Sequence, residues 1–195
     1  GQCLRTLRGY TNTTKSVKFS PDGALLASAG LDNMLRLWDV QTGACLSMLP
    51  GSTGNIWHVN FSPDGRLLAI GSFHARSARV RDLEGKDDQS ALLHEEKFAT
   101  GANVAFSSDG RWLCCSGDDE IRVLDTASWK VVARWPHEVR YAGYTTFSAD
   151  SRLLLIQHTQ EDIALIRTGT WEELLVLQSP VRDYLHGITI SPGGR

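Results

Sequence analysis

The sequence has no long hydrophobic run and no excess of one charge sign. Its apolar runs reach about six residues, whereas a membrane-spanning helix needs about 20. Lys and Arg total 20 against 22 Asp and Glu, which gives a net charge of -2. Such a chain has no global field that would attract nucleic acid or an anionic membrane surface. We therefore expect neither nucleic acid nor a membrane as a partner.

Cysteine is scarce, and its spacing is not that of a metal site. The four cysteines, at positions 3, 45, 114 and 115, contain no CxxC pair, so neither a zinc site nor a disulfide framework is indicated. Cys114 and Cys115 are expected on opposite faces of one strand, and neither has a basic neighbour that would activate it. We expect reduced thiols in a cytoplasmic protein.

The motifs of common enzymes are also missing. Residues 9–16 resemble a phosphate-binding loop but lack the second glycine before Lys15. The six histidines show no metal spacing such as H-E-x-x-H, and there is no G-x-S-x-G elbow. The acidic stretch 118–120 is typical of a hairpin tip rather than a calcium loop. We therefore expect no catalytic residue, no cofactor and no metal.

The sequence does contain a repeat of about 43 residues. The string Phe-Ser-Pro-Asp-Gly returns with substitutions, in steps of 42, 45, 41 and 43 residues. Its copies begin at Phe19, Phe61, Phe106, Phe147 and Ile190. A second marker, read as Leu-Trp-Asp in its first copy, begins at Leu37, Val80, Val123 and Leu165. Two independent markers in phase indicate repeats over nearly the whole chain.

Each repeat predicts four short strands. In the first repeat, the strands are expected at 14–20, 25–29, 35–39 and 45–49, with Pro-Asp-Gly, Gly-Leu-Asp-Asn and Thr-Gly turns between them. Strands of about five residues separated by such turn residues are the signature of an all-β fold.

The pentapeptide strings, Trp38-Asp39, and Asp32 seven residues before Asp39 make the chain resemble the WD-repeat family from end to end. The resemblance implies a β-propeller of four-stranded antiparallel blades, of which about four are complete here. Residues 1–8 are expected to be the outer strand of a preceding unit, and 179–195 the start of a further blade. The four complete blades are expected at 9–49, 50–94, 95–136 and 137–178.

The number of repeats is small for a ring of this family. A closed propeller of about seven blades needs roughly 300 residues, and the chain begins at Gly1 rather than Met. We expect an excerpt whose open flanks are covered by further blades of the parent chain or by self-association. The repeated phenylalanines, Phe19, Phe61, Phe106 and Phe147, are expected to be nearly fully buried.

In this family, a blade is typically stabilised by a hydrogen-bonded tetrad of Trp, Ser or Thr, His and Asp. The resemblance assigns this structural role to Trp38, Ser28 and Asp32 in the first blade, with Tyr10 in the histidine position. The third blade keeps Asp118.

Two arginines depart from the family pattern. Arg81 stands at the tryptophan position of the second blade, and Arg167 stands at the aspartate position of the fourth. Divergence with repacking is favoured over a binding role for both.

Partners of this family often bind the face made by the loops that enter the first strand and join the second to the third. The residue four before the repeated Phe commonly points to that face, and in the second repeat it is Trp57. Aromatic side chains are enriched in binding hot spots. The partner-binding candidates are Trp57, Lys15, Asn55, His74, Tyr141, Tyr184, His186 and Leu31.

The resemblance implies a non-catalytic scaffold that binds a protein or peptide on one rim. The sequence of residues 1–12 also resembles repeat arrays of bacterial multidomain signalling proteins, and this resemblance implies a sensor or regulatory module. One alternative is a propeller-type enzyme with a site at the central channel, although the first-strand positions offer a poor catalytic set. The other is a purely structural module that packs within its own chain.

Overall fold

The structure is a computed structural model of the 195-residue chain. It describes residues 3, 5–50, 54–85, 92–99, 101–136, 143–157, 159, 162–178 and 188–190. In these residues the regular secondary structure is made of strands. This part of the chain has no helix long and apolar enough to cross a membrane.

The strands form four antiparallel sheets, each made of four strands that follow one another in the chain. Blade 1 contains β1 (Thr14–Phe19), β2 (Leu25–Gly30), β3 (Met34–Asp39) and β4 (Cys45–Pro50). Blade 2 contains β5 (Ile56–Phe61), β6 (Leu67–Ser72), β7 (Ser77–Asp82) and β8 (Leu92–Lys97). Blade 3 contains β9 (Asn103–Phe106), β10 (Trp112–Ser116), β11 (Glu120–Asp125) and β12 (Val131–Pro136). Blade 4 contains β13 (Thr145–Phe147), β14 (Leu153–Gln157), β15 (Asp162–Arg167) and β16 (Glu173–Gln178).

The blades pack side by side through their first strands. Strand β1 contacts β5, β5 contacts β9, and β9 contacts β13, so the first strands form a common inner edge. Polar groups also link this edge from blade to blade. The links are Val59 N to Ser16 Oγ (3.2 Å), Phe106 N to Asn60 Oδ1 (2.9 Å) and Asn103 Nδ2 to Gly143 O (3.0 Å). This arrangement is that of neighbouring propeller blades, as the sequence predicted.

The turn between the first two strands explains the repeated pentapeptide. The Ser20 hydroxyl donates to Asp22 Oδ1 (2.5 Å) and accepts from the backbone N–H of Leu25 (2.9 Å). Gly23 has a φ of 72°, a left-handed conformation that glycine adopts without steric cost. The same serine-to-aspartate bond recurs at Ser62–Asp64, Ser107–Asp109 and Ser148–Asp150. The string therefore encodes a tight turn with its own hydrogen bonds.

Blade 4 forms this turn without glycine. Ser151 takes the glycine position at a φ of 59°. Its hydroxyl accepts a hydrogen bond of 2.9 Å from the backbone N–H of Asp109, in the corresponding turn of blade 3. The substitution thus adds a direct link between the two blades.

Apolar side chains fill the three spaces between neighbouring blades, because side chains alternate between the two faces of each sheet. Each space has its own cluster of buried residues, with contributions from both blades. The largest fully buried side chains are Leu35, Ile56, Val59, Leu68, Val80, Leu113, Ile121, Val123, Leu124, Leu154, Ile156 and Ile166.

The expected burial of the repeated phenylalanines holds for three of the four. Phe61, Phe106 and Phe147 are buried, each against the preceding blade. The expectation is wrong for Phe19, which is 63% exposed. In the described residues, no preceding blade packs on this face of blade 1. The phenylalanine that is buried between two blades in the other repeats is therefore exposed to solvent at Phe19.

Blade 4 has a second open face at the other end of the row. Leu155 pairs with Leu165, and Leu165 pairs with Leu175, so these side chains line up on the face that points away from blade 3. Leu175 is 49% exposed. The described blades therefore end in apolar flanks on both sides.

The blade limits differ in places from those expected. Strand β8 continues to Lys97, three residues past the expected limit at 94. Residues 5–8 are not part of a strand, and the Arg5 guanidinium instead donates to the backbone oxygens of Gln41 and Thr42 in the β3–β4 turn. The expected further blade at 179–195 lies outside the described residues except for 188–190.

Candidate protein-interaction rim

Four side chains from the loop ends of blades 1 and 2 form one surface cluster, which we call the rim cluster: Lys15, Trp57, Phe73 and His74. The Lys15 ammonium lies 4.8 Å from the centroid of the Trp57 ring. The Trp57 and Phe73 ring centroids are 5.4 Å apart, and those of Phe73 and His74 are 5.3 Å apart. Trp57 is 37% exposed. The cluster thus offers a partly exposed indole that contacts both Lys15 and Phe73.

The loop that carries Phe73 and His74 is fixed by its neighbours. The Phe73 N–H donates to the carbonyl of Asn55 (3.0 Å), at the start of the same blade. A Cβ at Gly101 would lie 2.6 Å from Phe73 Cδ2, and one at Gly54 would lie 2.9 Å from His74 Cβ. Only glycine lets the chain approach so closely at these two places. The aromatic surface is therefore held in position before any partner arrives.

The structure brings together three of the predicted rim residues: Lys15, Trp57 and His74. Asn55 supports the cluster through its backbone carbonyl, and its side chain is partly buried. Leu31 is partly buried, and its N–H donates to the Thr13 carbonyl (2.9 Å). The remaining candidates lie outside the described residues: Tyr141, Tyr184 and His186.

Sequence reasoning missed Phe73. The signal was present, because Phe73 is adjacent to the candidate His74, and it directly follows strand β6. Its role depends on Gly101 of the next blade, and that close approach cannot be seen in a local pattern.

A polar network of hydrogen bonds and an ion pair stabilises blade 1. Trp38 Nε1 donates to Ser28 Oγ (2.7 Å), which also accepts a bond from the Tyr10 hydroxyl. Asp32 does not take part in this pair but forms an ion pair with Arg36 (2.7 Å). The Arg36 guanidinium in turn lies 4.6 Å from the Tyr10 ring centroid. The network therefore includes an arginine that the family pattern did not indicate.

The other residues singled out from the family pattern lie in different environments. Asp118 is partly buried in the β10–β11 loop. Arg81 is 8% exposed, between blades 1 and 2, whereas Arg167 is exposed and lies 3.8 Å from Glu172.

The inner edge carries a histidine with a shifted pKa but no described carboxylate. Burial lowers the pKa of His58 to about 4, and the charge of Lys18 acts in the same direction. The His58 and Tyr144 ring centroids are 6.1 Å apart. The four first strands contain neither Asp nor Glu. This edge therefore lacks an acidic partner for the imidazole.

The described residues contain no cluster of metal-binding type and no activated thiol. No group of three or more His, Cys, Asp or Glu side chains is placed to hold a metal ion in this part of the chain. Burial raises the pKa of the Cys114 thiol to about 12, and the pKa of Cys115 is also raised well above its usual value. Such thiols are poor nucleophiles at neutral pH.

Four-stranded antiparallel blades with a shared inner edge define a segment of a β-propeller. The family described as "WD domain, G-beta repeat" matches residues 1–39, 43–82 and 100–125, more than half of the chain. The chain belongs to this WD-repeat family. Domains of the family are generally non-catalytic modules that bind protein partners.

Similar proteins match over about one repeat. A stretch of 43 residues is 51% identical to Protein Mut11 of Chlamydomonas reinhardtii, covering 22% of this chain and 12% of that protein. A stretch of 40 residues is 52% identical to nuclear distribution protein PAC1 of Arthroderma benhamiae, covering 20% and 9%. A stretch of 43 residues is 46% identical to eukaryotic translation initiation factor 3 subunit I of Phaeosphaeria nodorum, covering 22% and 13%. The matches thus span only a small part of each relative.

Proposed function

We propose that this chain is a non-catalytic interaction scaffold that binds a protein or peptide on the rim cluster. The observation that carries the proposal is Trp57, which is 37% exposed and yet in contact with Lys15 and Phe73. A preorganised aromatic side chain buries a large area at low cost in conformational entropy, as binding hot spots require.

The inner edge supports the scaffold over the enzyme alternative. Catalysis at the central channel would need a set of convergent acids and bases, and the first strands bring His58 to the channel without a carboxylate. Burial also keeps this imidazole neutral at physiological pH. A scaffold needs no such groups.

The exposed apolar faces of blades 1 and 4 support the proposal that this segment is part of a larger assembly. Phe19 and Val17 on blade 1 are 63% and 56% exposed, and Leu175 and Leu177 on blade 4 are 49% and 51% exposed. We propose that further blades of the parent chain cover these faces, or that the segment self-associates when they are missing. We further propose that the segment is a cytoplasmic regulatory module of a larger signalling protein, and a relative named as a subunit of a translation initiation factor is likewise part of a larger assembly.

The Trp57→Ala variant tests the scaffold proposal with two measurements. Urea unfolding is expected to stay within about 1 kcal/mol of the wild type, as for a surface substitution. Peptides selected on the wild-type chain from a random displayed library are expected to lose about 2 kcal/mol or more of binding free energy. A loss of stability of about 3–5 kcal/mol would instead identify Trp57 as a core residue.

Val132→Ala is the matched control, because Val132 is exposed to a similar degree, 40%, on the fourth strand of blade 3. It should bind the selected peptides as the wild type does. Equal binding by all three proteins would place the partner site elsewhere and overturn the proposal.

A further inference from the structure

Two cationic residues belong to the rim cluster or to the loop that carries it. Lys15 lies over Trp57, and Arg76 ends the short loop that carries Phe73 and His74. Both Lys15 and Arg76 are exposed, and neither forms an ion pair in the described part of the chain. Both cations are thus available to a ligand, Lys15 beside the Trp57 ring and Arg76 three residues after Phe73 in the same loop.

Two acidic side chains of blades 1 and 2 are already engaged in ion pairs. Asp32 pairs with the buried guanidinium of Arg36 (2.7 Å). Glu95, on the outer strand of blade 2, pairs with Arg79 (2.6 Å) and Lys97 (2.8 Å). These two carboxylates are therefore not available to neutralise Lys15 or Arg76, although the whole chain has a net charge of -2.

The position of Lys15 leaves its ammonium able to bind an anion. Contact with the Trp57 ring uses the attraction between a cation and the ring face, but it consumes none of the three N–H donors. A carboxylate approaching from solvent can accept from these donors while an adjacent apolar side chain packs on Trp57 and Phe73. An acidic residue next to an apolar one matches both features.

We propose that the rim cluster binds an acidic peptide segment, in which Asp or Glu side chains contact Lys15 and Arg76 and a neighbouring apolar side chain packs on Trp57. The inference rests on the proposed scaffold function and adds the chemistry of the partner. Single-stranded nucleic acid also combines negative charge with stacking surfaces. The two isolated cations, without a basic stripe along the blades, favour the peptide.

The test uses the full chain and a displayed library of random, unphosphorylated ten-residue peptides. Peptides that are retained by the wild type and lost with Trp57→Ala are expected to be at least twofold enriched in Asp and Glu over the input library. Their dissociation constants should rise about tenfold for Lys15→Gln or Arg76→Gln, and raising the salt from 50 to 500 mM should reduce this difference. Lys130→Gln and Arg152→Gln remove exposed cations elsewhere and should leave binding unchanged.

The outcomes separate this inference from the proposed function. The acidic-peptide inference is overturned if the peptides that depend on Trp57 are not enriched in Asp and Glu. It is also overturned if their dissociation constants are unchanged by Lys15→Gln and Arg76→Gln. Either result leaves the scaffold function intact. Tighter binding of a 20-nucleotide single-stranded RNA than of every selected peptide also overturns the acidic-peptide inference. A selection that yields no peptide dependent on Trp57 overturns both.

Discussion

The indole nitrogen of Trp38 donates a hydrogen bond of 2.7 Å to the Ser28 hydroxyl inside blade 1. Trp38 is 4% exposed and Ser28 is fully buried, so water cannot replace this bond. Tyr10 donates to the same hydroxyl from the chain that precedes β1. One serine thus fastens both the third strand and the segment before the first strand.

Ser28→Ala should reduce the free energy of unfolding by about 1–3 kcal/mol, because it leaves the buried indole N–H without an acceptor. Urea unfolding measures the loss. In a Trp38→Phe background the same substitution should cost clearly less, since the donor is already gone. Equal costs in the two backgrounds would show that the bond does not contribute.

Phe19 and Phe61 allow a matched test of blade packing, because they hold the same position in successive repeats. Phe61→Ala should cost about 3–5 kcal/mol, as for a buried aromatic residue. In the monomeric chain at low protein concentration, Phe19→Ala should cost about 0.5 kcal/mol or less, since the side chain is 63% exposed. Similar losses for both variants in urea unfolding would mean that another surface covers Phe19 in solution.

The four cysteines should divide into two classes of reactivity. Cys3 and Cys45 are exposed, whereas Cys114 and Cys115 are buried, and all four are free thiols. Burial raises the pKa of both inner thiols, which suppresses the reactive thiolate. A disulfide exchange reagent at pH 8 should therefore modify two thiols rapidly in the native chain and four in 6 M guanidinium chloride. Rapid reaction of all four would contradict the burial.

The repeat pattern predicted the blades well because strand and turn formation is local. The Ser20 turn contains its own hydrogen-bond partners within six residues, so each copy of the string specifies the same hairpin. Whether Phe19 is buried or exposed could not be predicted from this local pattern. Whether that side chain is covered depends on a neighbouring blade, and the motif is identical with or without one.

The candidate site was predictable only in part for a similar reason. The position of Trp57 follows from the repeat phase, and Lys15 occupies the equivalent position one blade earlier. The Lys15–Trp57 contact depends on how blades 1 and 2 pack, and the support from Phe73 depends on how closely blade 3 approaches at Gly101. The ion pair of Asp32 with Arg36 could not be predicted from the sequence either, because the family pattern assigns that aspartate to a hydrogen-bonded tetrad.

The inner edge should make stability depend on pH through His58. Burial is the main cause that lowers its pKa from 6.5 to about 4, and Lys18 adds to the shift. In the unfolded chain the imidazole regains a pKa of about 6.5. The unfolded state therefore binds the proton more strongly, so the stabilisation is complete above pH 6.5 and is lost as the pH falls towards 4. The loss is at most about 3 kcal/mol.

His58→Gln removes this titration, so its stability should fall less than that of the wild type between pH 7.5 and 4.5. Urea unfolding at four pH values in this range measures the difference. The turn aspartates Asp22 and Asp64, whose pKa values are lowered by hydrogen bonds from Ser20 and Ser62, lose their contribution at still lower pH and equally in both proteins. Parallel curves for the wild type and His58→Gln would show that the imidazole takes up its proton as readily in the folded chain as in the unfolded one, and would contradict the lowered pKa.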